Sequence, residues 1–462
     1  MKIDEQLRPA DLLGPIDRVM ELAKQKVLDI DRTWDPANGT PVYTVAGRYT
    51  TRGWTEWTQG FQYGSALLVF DATDDRSMYE LGRKRTLERM LPHVTHIGVH
   101  DHGFNNLSTY GNIRRLIREG RVEDPGMEAE MHSHILRASG AVQAARWAPT
   151  ADADPLDGGG YVYSFNGPQS LFVDTMRSMR ILALADQLGH VLMGEYDERI
   201  NLLGRAIAHG LTTAKYIVFY GDSGHSYDVR GRTAHEAIFN RNDGRFRCRS
   251  TQQGYSPFST WTRGLAWAVC GYAEQLEYLA TLAKGTIRQA TGIDDARVIE
   301  RYEQAALATS DHYIDDCAAA DGIVYWDDGA PGLVNLGNWR SRPAEPYNEH
   351  EPVDGTASAI TAQGLIRLGR YLGGERGTRY VQAGLSIARV LFDEPYLSTS
   401  PQHQGLLLHS IYHRPNNWDH IPDGRRIPCG ESSLWGDYHL LELAVLIQRL
   451  AKEKPYMVFF DS

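Results

Sequence analysis

Gly167 to Leu184 reads GPQSLFVDTMRSMRILAL. Gly167-Pro168 closes a loop, and Leu171, Phe172, Met176, Met179, Ile181 and Leu182 then recur at spacings that one face of a helix buries. The spacing predicts a helix entered from a glycine-containing loop. One carboxylate, Asp174, falls inside the apolar run, with Ser170, Arg177 and Ser178 at helical distances from it. A helix that is polar in its first turns and apolar later is what a cleft-facing N-terminal half requires. The plainer alternative is an exposed Asp174–Arg177 pair, worth a few tenths of a kcal/mol.

The same kind of entry recurs at Gly53-Trp54, Gly103-Phe104, Gly254-Tyr255, Asp354-Gly355 and Leu434-Trp435-Gly436. Helical periodicity is read at 16–27, 54–70, 81–90, 111–119, 128–145, 199–220, 260–283, 298–317, 356–372, 379–391 and 434–450. The stretch 100–110 breaks the pattern, and long irregular loops fill 221–254 and 321–352. Tyr161 to Phe165 is a candidate short strand, and Tyr227–Val229 with Arg245–Arg247 a candidate hairpin. Six loop-to-helix entries spread over the chain predict an all-α closed ring of six helical hairpins, with long loops gathered at a common cleft. A non-repetitive helical bundle is the alternative, because the intervals are uneven.

Hydrophobic residues make up 42% and charged residues 23% of the chain, as in a soluble protein with a large core. The longest apolar runs, such as Leu440 to Ile447, are too short to span a bilayer, and Met1 to Ala10 lacks the apolar region of a secretion signal. A cytoplasmic protein without membrane contact is expected. Cys248, Cys270, Cys317 and Cys429 lie far apart with no CxxC pair, so they are read as reduced core or cleft residues. A net charge of −10 argues against a nucleic-acid partner, which needs basic surface to displace counterions. Ten Trp and 24 Tyr tilt the reading toward a cleft that stacks flat rings on sugar faces.

Acid–base work on glycosides commonly uses two carboxylates. The second candidate is Asp101, in the run His100-Asp101-His102-Gly103-Phe104. It stands at a loop-to-helix junction, where a carboxylate equally caps the next helix. Adjacent His-Asp-His side chains diverge and no further ligand set accompanies them, so neither a metal nor a cofactor is expected. In Gln252 to Tyr272 (QQGYSPFSTWTRGLAWAVCGY), Arg263 and Trp267 stand four apart on one helix face, with Gln253 and Tyr255 upstream. A guanidinium beside an indole seats a sugar carboxylate or ring face. Alternatively, Trp261, Trp267 and Tyr272 are core and Arg263 caps a neighbour's carbonyls.

Four segments together resemble the unsaturated glucuronyl hydrolases of glycoside hydrolase family 88. They are HDHGF around Asp101, SLFVDTM around Asp174, QGYSPFSTWTRGLAW from Gln253 to Trp267, and the pair DGTASAI from Asp354 with LWGDYHLLE from Leu434. WTEWTQGF, from Trp54, is similar to the family's first aromatic helix. The resemblance spans nearly the whole chain in order and implies an (α/α)6 barrel in one catalytic domain, 1–462. It also implies a small carbohydrate substrate, an anionic oligosaccharide or glycoside ending in a 4,5-unsaturated uronic acid. An acid protonates C4 of the enol ether, water adds at C5, and the hemiketal opens with release of the aglycone. By motif, Asp174 is the general acid/base and Asp101 the carboxylate that positions or tunes it. Gln253, Arg263 and Trp267 match substrate-site positions, Trp57 or Trp54 is the stacking ring, and Trp261 joins the binding residues. Apolar neighbours and an anionic Asp101 would raise the pKa of such an acid, and Arg263 would oppose them.

Two segments depart from the family pattern. Its substrate-contacting His stands in a segment shaped like SSYHV, whereas GHSYDVRGRTAHEAIFNRNDG here carries Tyr227-Asp228 and leaves His225 and His235 as competing substitutes. DGTASAI has Thr356 where better-known members carry a serine-rich DSSAS. The inserted RGRTAHEAIF suggests a remodelled rim and another substrate, and the Thr356 departure altered recognition of sulfate or carboxylate at the far side of the sugar. Two rival classes stand beside this reading: an N-acyl-glucosamine epimerase-like sugar isomerase, which uses the barrel with catalytic histidines on inner helices, and a non-catalytic carbohydrate-binding barrel. The oligomeric state is open.

Overall fold

The computed structural model describes residues 1–53 and 56–460. Twelve helical rods run through them: α1 (Leu13–Thr33), α2 (Gln59–Thr73), α3 (Arg76–Arg89), α4 (His102–Asn106, Leu107–Gly111 and Asn112–Arg118 in succession), α5 (Glu128–Ala145) and α6 (Thr175–Ser178 and Arg180–Gln187), then α7 (Leu202–Tyr216), α8 (Thr262–Leu279), α9 (Asp295–His312), α10 (Gly355–Leu372), α11 (Gly374–Leu391) and α12 (Leu434–Ala451). Odd and even rods bury differently. α8, α10 and α12 are enclosed along nearly their whole length, whereas α1, α9 and α11 bury one apolar face. Each even helix packs on the next and α12 packs on α2, which closes an (α/α)6 barrel with the odd helices outside. No helix among the described residues is long and apolar enough to cross a membrane.

The structure corrects several local expectations. Ser170–Phe172 is not the first turn of a helix but a strand, β1, in an antiparallel sheet with β2 (Glu236–Phe239) and β3 (Phe246–Ser250). Leu171 lies opposite Ala237, and Ile238 opposite Cys248. A short apolar run reads alike as strand or buried helix, and here a partner far along the chain decides. Asp174 therefore immediately precedes α6 instead of lying within it. The hairpin pairs β3 with β2 and not with Tyr227–Val229. Arg199–Asn201 is a strand before α7, and Cys248 is exposed while the other three thiols are buried.

The apparent break at 100–110 is the start of α4. Two of its polar residues bond back to their own helix, Thr109 Oγ1 donating to the Asn105 carbonyl at 2.8 Å and Asn112 Nδ2 to that of Ser108 at 3.0 Å, while Asn106 Nδ2 donates to the His93 carbonyl at 3.1 Å and Ser139 Oγ at 2.8 Å. These bonds let a loop-like composition run buried through the barrel.

α4 and α6 touch at Gly103, where an added Cβ would collide with the Ser178 carbonyl and where the Gly103 N–H donates to Ser178 Oγ at 3.0 Å. Gly103→Ala is expected to cost about 1–3 kcal/mol through overpacking. Gly14→Ala, where nothing lies within 4 Å of the new Cβ, should be neutral or slightly stabilising. Urea unfolding of both variants checks this.

Candidate active site

Asp101 stands at the N-terminus of α4 and Asp174 at that of α6, on neighbouring inner helices, and both line one cavity of about 150 Å³. Asp101 makes no side-chain capping bond to α4. Asp174 Oδ1 is buried without a hydrogen-bond partner. Nor does Asp174 pair with Arg177, which is fully buried and donates to Glu274 at 3.0 Å and Glu442 at 2.7 Å. His102 does not join Asp101 around a metal: its ring nitrogens lie 2.9 Å from Ser139 Oγ and 2.9 Å from the His96 carbonyl.

Burial pushes Asp101 up to about 7; the negative Asp174 adds to this and Arg146 opposes it. Burial also pushes Asp174 up to about 7, against the pull of Arg263 and a backbone hydrogen bond. Both carboxyls therefore hold their protons up to near-neutral pH, with burial the largest cause at each.

Arg263 is largely committed to the scaffold. It donates to Gln253 Oε1 at 2.8 Å, the Tyr412 carbonyl at 2.7 Å, Asp354 Oδ2 at 3.2 Å and the Ile411 carbonyl, with its guanidinium 4.6 Å above the Trp261 ring. Asp354 in turn caps α10 through the Thr356 and Ala357 amides. Arg263 thus ties the Gln253 loop, the 411–412 segment and α10 to one wall of the cavity.

Of the residues singled out from the sequence, the cavity brings together Asp101, Asp174, Trp57, Gln253, Trp261, Arg263 and Trp267. Trp57 lies 5.0 Å from Trp435, and Trp267 4.9 Å from Phe104. Trp54 lies outside the described residues. His225 is on an exposed loop, stacked on Tyr227, and is not part of the cavity. His235 sits behind the wall, where Nδ1 accepts from the Gln252 amide at 2.9 Å and the Gln253 amide at 3.3 Å. Burial, with His413 and Arg263, lowers it to about 3, so a neutral imidazole props the backbone that presents Gln253.

The sequence reading missed the segment from Tyr412 to Trp418, which contributes Tyr412, His413, Asn416 and Trp418 to the cavity. Asp419 fixes this segment by accepting from the Tyr412 and His413 amides. His413 Nδ1 accepts from the Asn416 amide at 3.3 Å, while Nε2 has no hydrogen-bond partner. The available signal was YHRPNNWD, a loop dense in aromatic, imidazole and amide groups just before LWGDY.

No family model matches the chain. An unsaturated glucuronyl hydrolase from Bacillus sp. (strain GL1) is 26% identical over 414 residues, covering 87% of this chain and 89% of that protein. The chain is thus similar along most of its length to unsaturated glucuronyl hydrolases. Among solved structures, an unsaturated glucuronyl hydrolase specific for heparin matches with a TM-score of 0.69 at 18% identity, over 95% of this chain and 98% of that one. A mutant unsaturated glucuronyl hydrolase from Streptococcus agalactiae, complexed with dGlcA-GalNAc6S, matches with a TM-score of 0.62 at 19% identity, over 96% and 93%. At these identities the structures share the barrel fold.

A carboxyl whose folded pKa exceeds its unfolded one stabilises the fold relative to its ionised form at low pH and loses that contribution as pH rises, here between about 4 and 7. Asp101→Asn and Asp174→Asn are therefore expected to raise stability at pH 8, by about 1–3 kcal/mol for the more deeply buried Asp101 and less for Asp174. Urea unfolding at pH 5 and pH 8 should give the smaller gain at pH 5.

Proposed function

We propose that the chain is a glycoside hydrolase of the unsaturated uronyl type, a single catalytic barrel over residues 1–462, that removes a terminal 4,5-unsaturated uronic acid from an oligosaccharide or glycoside. The observation that carries this reading is the pair of cavity-lining carboxyls on neighbouring helix ends, both pushed up to about 7. The names of the relatives and the sugar held by one of them support it.

We assign the proton of the reacting form to Asp174, with Asp101 ionised beside it, as the general-acid role requires. Asp174 delivers its proton to C4 of the enol ether, and the positive charge that develops at C5 is shared with the ring oxygen. Water adds at C5 and returns a proton to the Asp174 carboxylate, so the catalyst is restored. The resulting hemiketal opens at the C5–ring oxygen bond. This leaves a hemiacetal at C1 that expels the aglycone as an alcohol, for a net uptake of one water. Arg263 and Gln253 attract the uronate carboxylate, Arg263 mainly through its charge because its donors are engaged. Trp57 stacks on the sugar face, and the unpartnered His413 Nε2 is available to the aglycone.

The isomerase alternative calls for an inner-helix histidine able to act as a base. His439 on α12 contacts Arg177 through Nε2 and the Trp435 carbonyl through Nδ1, and burial with Arg177 lowers it to about 3. That environment does not suit a base working at neutral pH.

With an unsaturated disaccharide, wild-type protein is expected to abolish the ultraviolet absorbance of the enol acid. Asp174→Asn should slow this by about 100- to 10,000-fold, and full turnover in that variant would overturn the assignment. The wild-type rate should decline as pH rises above about 7, because the donor loses its proton. Asp101→Asn should move that decline to lower pH, since it removes the charge that favours a protonated Asp174.

A further inference from the structure

Behind the loop that presents Gln253 and Trp261, three unlike side chains converge outside the cavity. α9 ends at His312 and passes into a π turn, Tyr313–Cys317, closed by the Ala318 amide on the Tyr313 carbonyl at 3.0 Å. The wider turn brings Cys317 back beside His312. Asp328, from the loop before α10, completes the group. His312 Nε2 lies 3.3 Å and Cys317 Sγ 3.9 Å from Asp328 Oδ2, and one ligand atom from each residue falls within 4.8 Å of the others. All three are sealed from solvent, with side-chain exposures of 1% for His312 and 4% for Asp328 and a residue exposure of 1% for Cys317.

We propose that His312, Cys317 and Asp328 bind one divalent cation of the zinc class. A tetrahedral ion with metal–nitrogen and metal–oxygen bonds near 2.0 Å and a metal–sulfur bond near 2.3 Å has ligand–ligand edges of about 3.3–3.6 Å. The His312–Asp328 separation of 3.3 Å already matches such an edge, and the Cys317–Asp328 separation of 3.9 Å needs to shorten by about 0.4 Å. Thiolate, imidazole and carboxylate together suit zinc better than magnesium or calcium. Asp316 Oδ2, 3.2 Å from His312 Nδ1, stands where an outer carboxylate orients a metal-bound imidazole. Thr260 Oγ1, 3.2 Å from His312 Nε2, is a neighbour for the fourth position. Arg232 approaches the same Asp328 oxygen at 3.4 Å, and that oxygen's second lone pair accommodates it. Binding forms metal–sulfur, metal–nitrogen and metal–oxygen bonds and releases the thiol proton together with any proton on Nε2.

The site is tied to the catalytic wall. Asp328 Oδ1 accepts from the Thr260 amide at 2.7 Å and Asp327 Oδ2 from the Tyr255 amide at 2.8 Å, the two ends of the loop after Gln253. The ion acts as a clip on that loop and takes no part in the reaction.

Cobalt(II) titration of chelator-treated full-length protein tests the proposal. One equivalent should bind with tetrahedral visible absorption and a near-ultraviolet thiolate-to-cobalt band, and zinc should displace it. Cys317→Ser, with unchanged circular dichroism, should lose the band, and Asp316→Asn should weaken cobalt binding about 10- to 100-fold. Failure of wild type to bind one equivalent, or survival of the band in Cys317→Ser, would overturn the assignment.

Discussion

A buried ion cluster joins five of the six inner helices. Arg177 and Arg180 of α6 meet Glu274 of α8 at 3.0 and 3.2 Å, Arg177 reaches Gln363 of α10 at 2.9 Å and Glu442 of α12 at 2.7 Å, and Arg180 donates to the Gly103 carbonyl of α4 at 3.2 Å. With Arg367 and Glu277, which extend the cluster from Glu274, three guanidinium and three carboxylate charges balance in a region largely closed to solvent, and loss of any one would leave a buried charge uncompensated. The cluster also governs the site above it. By drawing Arg177 inward, it denies Asp174 the counter-ion three residues along its own chain.

Helix ends ordinarily favour the ionised carboxyl, because the N-terminal end of the dipole is positive. That effect is worth about 0.3–1 kcal/mol, or about 2 kcal/mol in partly buried settings. A rise from the usual carboxyl range to about 7 corresponds to about 4 kcal/mol in the opposite sense. Desolvation therefore outweighs the dipole at both Asp101 and Asp174. The barrel places both carboxyls at helix ends, and burial in an aromatic-rich cavity favours their protonated forms.

Much of the ring was legible because outer helices such as α1, α9 and α11 carry one apolar face, inner ones such as α8, α10 and α12 are long and apolar, and the inner ones begin at recurrent loop junctions. Glu128–Ala145 matched to the residue. What escaped was decided by distant partners. β1 is a strand only because β2, more than 60 residues on, pairs with it. α4 looked like a loop because it is rich in Asn, Ser and Thr, some of which bond to carbonyls of their own helix and others to neighbouring elements. In the site, Asp101, Asp174 and the Gln253–Trp267 segment could be read from local motifs. The 412–418 wall could not, since nothing local says that a Pro-containing loop folds over α4 and α6. His225 and His235 looked equivalent along the chain, and only the sheet separates an exposed residue from a backbone prop.

Because burial is the largest influence on both carboxyls, their hold on the proton depends on how much water the cavity admits. On the proposed function, a uronate that fills the space displaces that water and brings a carboxylate of its own, and both changes strengthen the hold. Binding and protonation are then thermodynamically linked: the occupied enzyme draws protons from solution as it loads. On the proposed function, the same burial that destabilises the empty fold at neutral pH would hold the proton on the acid more firmly once substrate is bound.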